Sequence, residues 1–182
     1  HFGGFRDNME HVLLLDMAIH TFDMARFLTN SDPLSVYCYE WNPSSSWYKQ
    51  DASANAIFEM TSGIVYTYLG SWCAEGMNTT WAGNWRFIGE KGSAIWNGME
   101  EFAAQKVIGK TGFIRKTKNL NIKFPVKKDE YEGHSELIRE FLHSIKTGKK
   151  PMTSEDDNIK SLAMVLGAIE SNQKKKPVRI EF

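Results

Sequence analysis

Only two cysteines, Cys38 and Cys73, occur in 182 residues, so no disulfide framework can hold this chain together. Both fall in strand-like segments. The sequence leaves their pairing open, and a reducing, cytoplasmic setting is the expectation. No apolar run reaches the roughly 18 residues of a membrane-spanning helix, and the first residues carry no signal-peptide pattern. Neither sign of charge is in excess, since Lys plus Arg is 22 and Asp plus Glu is 22. That balance argues against nucleic acid as the partner, because a phosphate backbone selects a basic excess. A Gly-x-Gly-x-x-Gly turn is missing as well, so the chain has no dinucleotide fingerprint of its own.

What remains is an ordinary globular composition, 42% hydrophobic and 24% charged, with enough length for one sizeable core and one domain. The organising stretch is MEHVLLLDMAIHTFDMARFL, Met9 to Leu28. It reads as a helix apolar on nearly all sides and therefore buried. Asp16, His20 and Asp23 interrupt it at i, i+4 and i+7, which on a regular helix is one narrow stripe. Burying a carboxylate and an imidazole one turn apart is costly unless they are paired, and the cost asks for a reason. The chain starts at His1-Phe2, without an initiator Met, and runs almost at once into this helix. The expectation is a piece of a longer chain.

Asn30-Ser31-Asp32-Pro33 stops the helix. Strands follow: Ser35 to Trp41, then a hairpin of Ala52 to Met60 and Ile64 to Cys73 around Thr61-Ser62-Gly63. After a polar loop, Trp85 to Ile88 and Ser93 to Trp96 read as a second hairpin turning at Gly89-Glu90-Lys91-Gly92. Gln105 to Ile108, Phe113 to Lys118 and Leu120 to Phe124 are weaker, lysine-rich strand candidates for a sheet edge. Glu136 to Thr147 predicts a helix with Leu137, Ile138, Phe141, Leu142 and Ile145 on one face, capped by Gly148. Ser154 is read as the N-cap of a last helix, with Asp157 completing a capping-box variant and Ile159, Leu162, Ala163, Leu166 and Ile169 as its buried stripe. Lys174, Lys175 and Lys176 suit its C-terminal dipole, and Val178 to Phe182 reads as a closing strand. One helix, a run of antiparallel strands and two helices give an α+β domain: a largely antiparallel, mixed open sheet covered by helices on one face. The other face, rich in aromatic residues, is expected to pack on a second subunit.

These residues resemble a known family. LLLDMAIHTFDMARFL is similar to the segment, commonly L-x-D-x-G-x-H-x-x-D, that opens the C-terminal domain of the glucose–fructose oxidoreductase, inositol dehydrogenase and MocA family. DASANAIFEMTSGIVYTYLGSW resembles its central hairpin and WRFIGEKGSAIW its G-x-x-G-s hairpin. ELIREFLHSIKTGKKPMTSEDDNIKSLAMVLGAIESNQKKKPVRI resembles its closing helix, Pro turn, helix and strand. Two departures are Ala18, where the family often has Gly, and His11-Val12, where a pair of glycines is usual. The resemblance implies a glyceraldehyde-3-phosphate-dehydrogenase-like C-terminal domain over residues 1–182, serving substrate binding and oligomerisation. It implies NAD or NADP held by an N-terminal Rossmann domain absent from this chain. The family's Glu-Lys-Pro motif with its lysine is also absent: Lys149-Lys150-Pro151 and Lys175-Lys176-Pro177 lack the Glu and sit at predicted helix ends.

The resemblance assigns Asp16 and His20 to an active site. Oxidising an alcohol needs a base for the hydroxyl proton, and an imidazole with an ordinary pKa near ~6.5 suits that task. His20 is the expected general acid/base and Asp16 its substrate-binding partner. Asp23, Arg6, Trp72 and Trp85 are further substrate-binding candidates, Arg6 for an anionic group and the two indoles for stacking on a sugar ring, against the more ordinary reading of these aromatics as sheet packing and a dimer face. Two other readings stand beside this one. His20 is a hydrogen-bonded core residue, or Asp16 and His20 ligate a metal, although no third ligand at a supporting spacing is evident; the expectation is no metal. The expected whole is half of an NAD(P)-dependent oxidoreductase acting on a sugar, polyol or related compound, inactive alone and assembled as a homodimer or tetramer, without nucleic-acid or membrane partners. The alternative is a non-catalytic oligomerisation or ligand-sensing module of the same fold.

Overall fold

The structure, a computed structural model, describes residues 3–122 and 133–182. In chain order it contains the helix α1 (Ile19–Thr29) and the strands β1 (Pro33–Trp41), β2 (Ser53–Met60), β3 (Val65–Ser71), β4 (Trp85–Gly89), β5 (Gly92–Trp96), β6 (Phe102–Val107) and β7 (Thr117–Leu120). The helices α2 (His134–Thr147) and α3 (Glu155–Lys174) and the two-residue strand β8 (Val178–Arg179) complete it. Contacts divide the chain into two units, His1–Glu75 with Glu140–Phe182, and Gly76–Arg139. The α+β class and antiparallel pairing agree with the sequence reading. The strands read there as one open sheet pair instead as two sheets of four.

In the first unit the sheet order is β3-β2-β1-β8, antiparallel throughout. Period-2 alternation sets its faces. Along β2, Ala54, Ala56, Phe58 and Met60 point inward, while Asn55, Ile57 and Glu59 point out. The inner face meets α1 and α3 in one core of Leu14, Ala18, Phe22, Val36, Cys38, Phe58, Met60, Met164, Val165 and Ala168. Phe22 stands edge-on to Phe58, ring centroids 4.8 Å apart, and to Tyr68 at 5.2 Å. Each such buried side chain contributes about 1.5–3 kcal/mol. The short β8 covers only Ser35 and Val36 of β1. Farther along β1, two side chains of α3 do the work of a strand: Cys38 N–H donates to Ser171 Oγ (2.9 Å) and Glu40 N–H to Asn172 Oδ1 (3.0 Å). A satellite cluster of Val12, Tyr48, Ala52 and Cys73, with Trp47 and Trp72 against it, lies in the same unit.

The second unit holds the antiparallel sheet β4-β5-β6-β7. Its first hairpin turns where the sequence places it, with Gly89 paired to Gly92. A β-carbon on Gly92 would meet the Gln105 carbonyl oxygen at 2.0 Å, so only glycine lets β6 come alongside. The two strand candidates Phe113 to Lys118 and Leu120 to Phe124 reduce to the single strand β7; residues 123 and 124 lie outside the described ones.

Local signals are placed well. Gly148 closes α2 with φ +70° and its N–H on Ser144 O (2.8 Å). Ser154 caps α3 in extended conformation, but its hydroxyl donates to Asp156 (2.7 Å), and Asp157 turns to Arg26 instead of closing a capping box. The buried stripe read for α3 holds in part: Ala163 is buried and Ile169 packs partly buried against the core, but Ile159, Leu162 and Leu166 are exposed and the buried face includes Ser161, Met164, Val165, Ala168 and Ser171. The apolar face of α2, Leu137, Ile138, Phe141, Leu142 and Ile145, is exposed. Periodicity identifies an apolar face and does not name what covers it. The first helix begins at Val12 rather than Met9, after His11 at φ +51°.

Candidate functional site

Gly3 and Gly4, at φ +73° and +74°, take backbone angles that a side chain disfavours and start a 3-10 turn, Gly4–Asn8, that presents Arg6. Met9 N–H closes that turn on Arg6 O (3.2 Å). The helix that follows is not regular. Leu14–Ala18 form a π-helical segment, with α-helix resuming at Ile19. A π segment closes i→i+5 bonds and so inserts a residue into the turn, and such segments gather at functional sites.

The three polar residues of the sequence stripe take different partners. Asp16, inside the π segment, faces back to the 3-10 turn. Arg6 Nε donates to its Oδ2 at 2.5 Å and Nη2 to its Oδ1 at 3.2 Å, a two-pronged grip on a partly buried carboxylate. The hydrogen bond to Asp16 raises the Arg6 pKa above its already high ordinary value, so the guanidinium stays charged. Its carbon also lies 4.6 Å over the Phe5 ring. His20 is exposed, and no hydrogen bond or ion pair of it is found among the described residues. It is not the satisfied core histidine that a bland reading of the helix would make it. Beside it, Thr21 donates to Ala18 O (2.9 Å) and its hydroxyl is hydrogen-bonded to those of Tyr66 and Tyr68, both pushed up in pKa by burial.

Asp23 turns toward α3. It accepts from Ser161 Oγ (2.6 Å) and more weakly from Arg26 Nη1 (3.5 Å). Arg26, buried at 6% exposure, also donates to Asp157 (2.8 Å) and Asp32 (3.2 Å), and Lys160 reaches Asp32 (2.7 Å). Burial alone would raise the Asp32 carboxyl, but hydrogen bonds from Lys160 and Arg26 outweigh it and hold the group below its ordinary value. This network bolts α1 to α3. Sequence reasoning missed Arg26, whose signal was a charged residue within an otherwise apolar helix.

The indoles divide between the units. Trp72 packs against both clusters of the first unit, and its backbone N–H donates to Ala52 O (2.8 Å). Trp85 belongs to the second, where Nε1 donates to Ala82 O (2.8 Å) and the ring stacks on Phe87 at 6.2 Å. Cys38 and Cys73 are both buried and unlinked, and burial pushes the Cys38 thiol up to about 12. Sequence reasoning also missed the contact of His11 Nδ1 with Glu40 Oε2 (2.7 Å). The signal was there, since a histidine stood where the resemblance led one to expect glycine. Among the described residues no three potential metal ligands cluster, and no helix is long and apolar enough to cross a membrane.

A family model described as the GFO/IDH/MocA C-terminal domain matches residues 5–95, which include Arg6, the π segment and α1. The chain belongs to the GFO/IDH/MocA family. A curated relative, the uncharacterized protein y4oX of Sinorhizobium fredii, is 30% identical over 183 residues, covering 98% of this chain and 50% of that protein. Two solved structures show the same fold. An NAD-binding protein from Listeria innocua aligns with a TM-score of 0.73 at 17% identity, over 98% of this chain and 51% of its own. The aldose-aldose oxidoreductase from Caulobacter crescentus, complexed with glycerol, aligns with a TM-score of 0.70 at 18% identity, over 92% and 47%. This GFO/IDH/MocA chain therefore spans about half the length of the proteins it matches.

Proposed function

We propose that this chain is the substrate-binding and dimerisation half of an NAD(P)-dependent oxidoreductase acting on a sugar, polyol or related hydroxylated compound. Support comes from family membership, from the aldose and NAD named for two structural neighbours, and above all from one arrangement. Asp16, braced by Arg6, lies one turn before an exposed His20 without a partner among the described residues. A nicotinamide held by a companion domain would accept the hydride. This chain, which lacks a glycine-rich dinucleotide turn, supplies the proton chemistry and the substrate grip. His20 takes the hydroxyl proton in oxidation and returns it in reduction. Asp16, with both oxygens engaged by Arg6, aligns a substrate hydroxyl through its remaining lone pairs. Arg6, Asp23 and Trp72 are proposed as further substrate contacts of the first unit, and Trp85, in the second unit, as a separate candidate. The setting is cytoplasmic and this half alone is inactive.

Assembly as a homodimer or tetramer is proposed through the outer face of β1–β3, where Tyr37, Tyr39, Ile57, Val65 and Leu69 are exposed beside Trp41. Calorimetric titration of the full-length protein with NAD and NADP, then a screen of sugars and polyols, tests the reading; absence of cofactor binding in the full-length protein overturns it. His20→Ala is expected to cut turnover far more than cofactor affinity, and unchanged activity removes His20 from the mechanism.

A further inference from the structure

His11 holds a backbone angle of φ +51°, one that glycine adopts freely and other residues adopt at a cost. Its side chain is four-fifths buried and its Nδ1 lies 2.7 Å from Oε2 of Glu40, whose side chain is fully buried. The same Oε2 accepts from Asn172 Nδ2 (3.3 Å), while Glu40 Oε1 is buried with no donor. Asn172 in turn accepts from the Glu40 N–H and from Lys175 Nζ (2.9 Å). One contact thus ties the start of the helix to β1 and, through Asn172, to the end of α3. Directly above it, Leu15 N–H donates to His11 O (3.0 Å), the hydrogen bond that leads into the π segment holding Asp16.

We propose that His11 and Glu40 form a pH-operated clasp on the entry to the helix that carries Asp16 and His20, closed while the pair holds a proton and released when that proton is lost. With the proton present, the ring Nδ1–H donates to the carboxylate and charge is balanced. Without it, a carboxylate lies in the interior facing a neutral ring, with one oxygen undonated, and burial of that kind is unfavourable. The other charged groups acting on Glu40 are Asp51, which works against its ionisation, and Lys175, which favours it; the neighbouring Cys38 thiol feels the Glu40 charge. Burial raises the Glu40 carboxyl above its ordinary value, and His11 opposes that rise. A raised carboxyl contributes stability that is complete below the ordinary value of ~4.3 and is lost as pH rises through the folded-state value. The clasp therefore opens toward alkaline pH. It stands whether or not the catalytic reading does.

The test is amide hydrogen exchange from pH 5 to 9 on the chain, corrected for intrinsic rates, in the wild type, His11→Gly and Glu40→Gln. Glycine accepts the +51° angle without strain, and glutamine keeps the shape of Glu40 without its charge. In the wild type, protection of the Leu15 amide should fall about tenfold with rising pH, while the β1–β2 ladder amides hold. Both variants should lose that dependence. A flat wild-type profile, or the same slope in Glu40→Gln, overturns the clasp, and Glu40→Gln decides alone if His11→Gly does not fold.

Discussion

Tyr68 occupies the space that a side chain at Gly70 would need. An ideal β-carbon on Gly70 would stand 2.1 Å from the Tyr68 hydroxyl oxygen and 2.5 Å from the ring carbon that bears it. The ring cannot step aside, because it packs edge-on against Phe22 in the core and its hydroxyl is held at Thr21. Gly70→Ala should destabilise the chain by about 1–3 kcal/mol through overpacking. In urea unfolding, a double-mutant cycle with Tyr68→Ala checks the cause. The alanine penalty shrinks when the ring is gone, and an undiminished penalty points to the backbone instead.

The Arg6–Asp16 grip should matter more to activity than to folding. Both partners are partly exposed, so water screens the pair and the unfolding midpoint of Arg6→Lys should scarcely move. A lysine cannot reproduce the two-pronged geometry. In the full-length enzyme, with a substrate found, kcat/KM should fall on the order of a hundredfold. Arg6→Lys combined with Asp16→Asn should be little worse than either alone. Independent, multiplying losses would show that the two residues do not act together.

Arg26 predicts the reverse balance. Its removal leaves Asp23, Asp32 and Asp157 without their common cation, but those carboxylates keep 36–47% exposure. Arg26→Ala should therefore cost about 2–4 kcal/mol, less than opening a fully buried pair. The pH sign follows from Asp32. Its carboxyl is held below the ordinary value, so its contribution is present above ~3.9 and is lost as pH falls through the folded-state value. Acid unfolding followed by circular dichroism should show Arg26→Ala losing part of the wild type's acid-dependent destabilisation. An identical acid profile would remove Asp32 from the account.

Ile57 lies on the outer face of β2, 46% exposed among Tyr37, Tyr39 and Trp41. Ile57→Lys should leave the fold intact, because no buried contact is disturbed, and should shift the assembly toward monomer. Light scattering at micromolar concentration reads the outcome, and an unchanged mass counts against this face as the subunit contact.

Sequence legibility was greatest where the determinant is local. The turn at Thr61-Ser62-Gly63, the Gly89–Gly92 hairpin and the Gly148 cap depend on a few neighbouring residues and stand where they were read. The α+β class and the family were legible for the same reason. The site was legible as a set of residues but not as a geometry. A 3.6-residue period puts Asp16, His20 and Asp23 on one stripe, and the π segment, which no residue type announces, turns Asp16 to Arg6 and leaves Asp23 with Ser161. Division into two sheets was hidden too, because alternation tells which face a residue takes and says nothing of which strand lies beside it. For α2, five apolar residues mark one face, and that face is exposed.

Ser171 and Asn172 take the two β1 N–H groups, of Cys38 and Glu40, that lie beyond the reach of β8. An unprotected run of such donors is a template on which a foreign strand can add, and chains with open templates polymerise edge to edge. Here a helix supplies the acceptors, and a helix cannot be extended by another strand. The chain thereby obtains a blunt margin from two small polar side chains rather than from charge or proline.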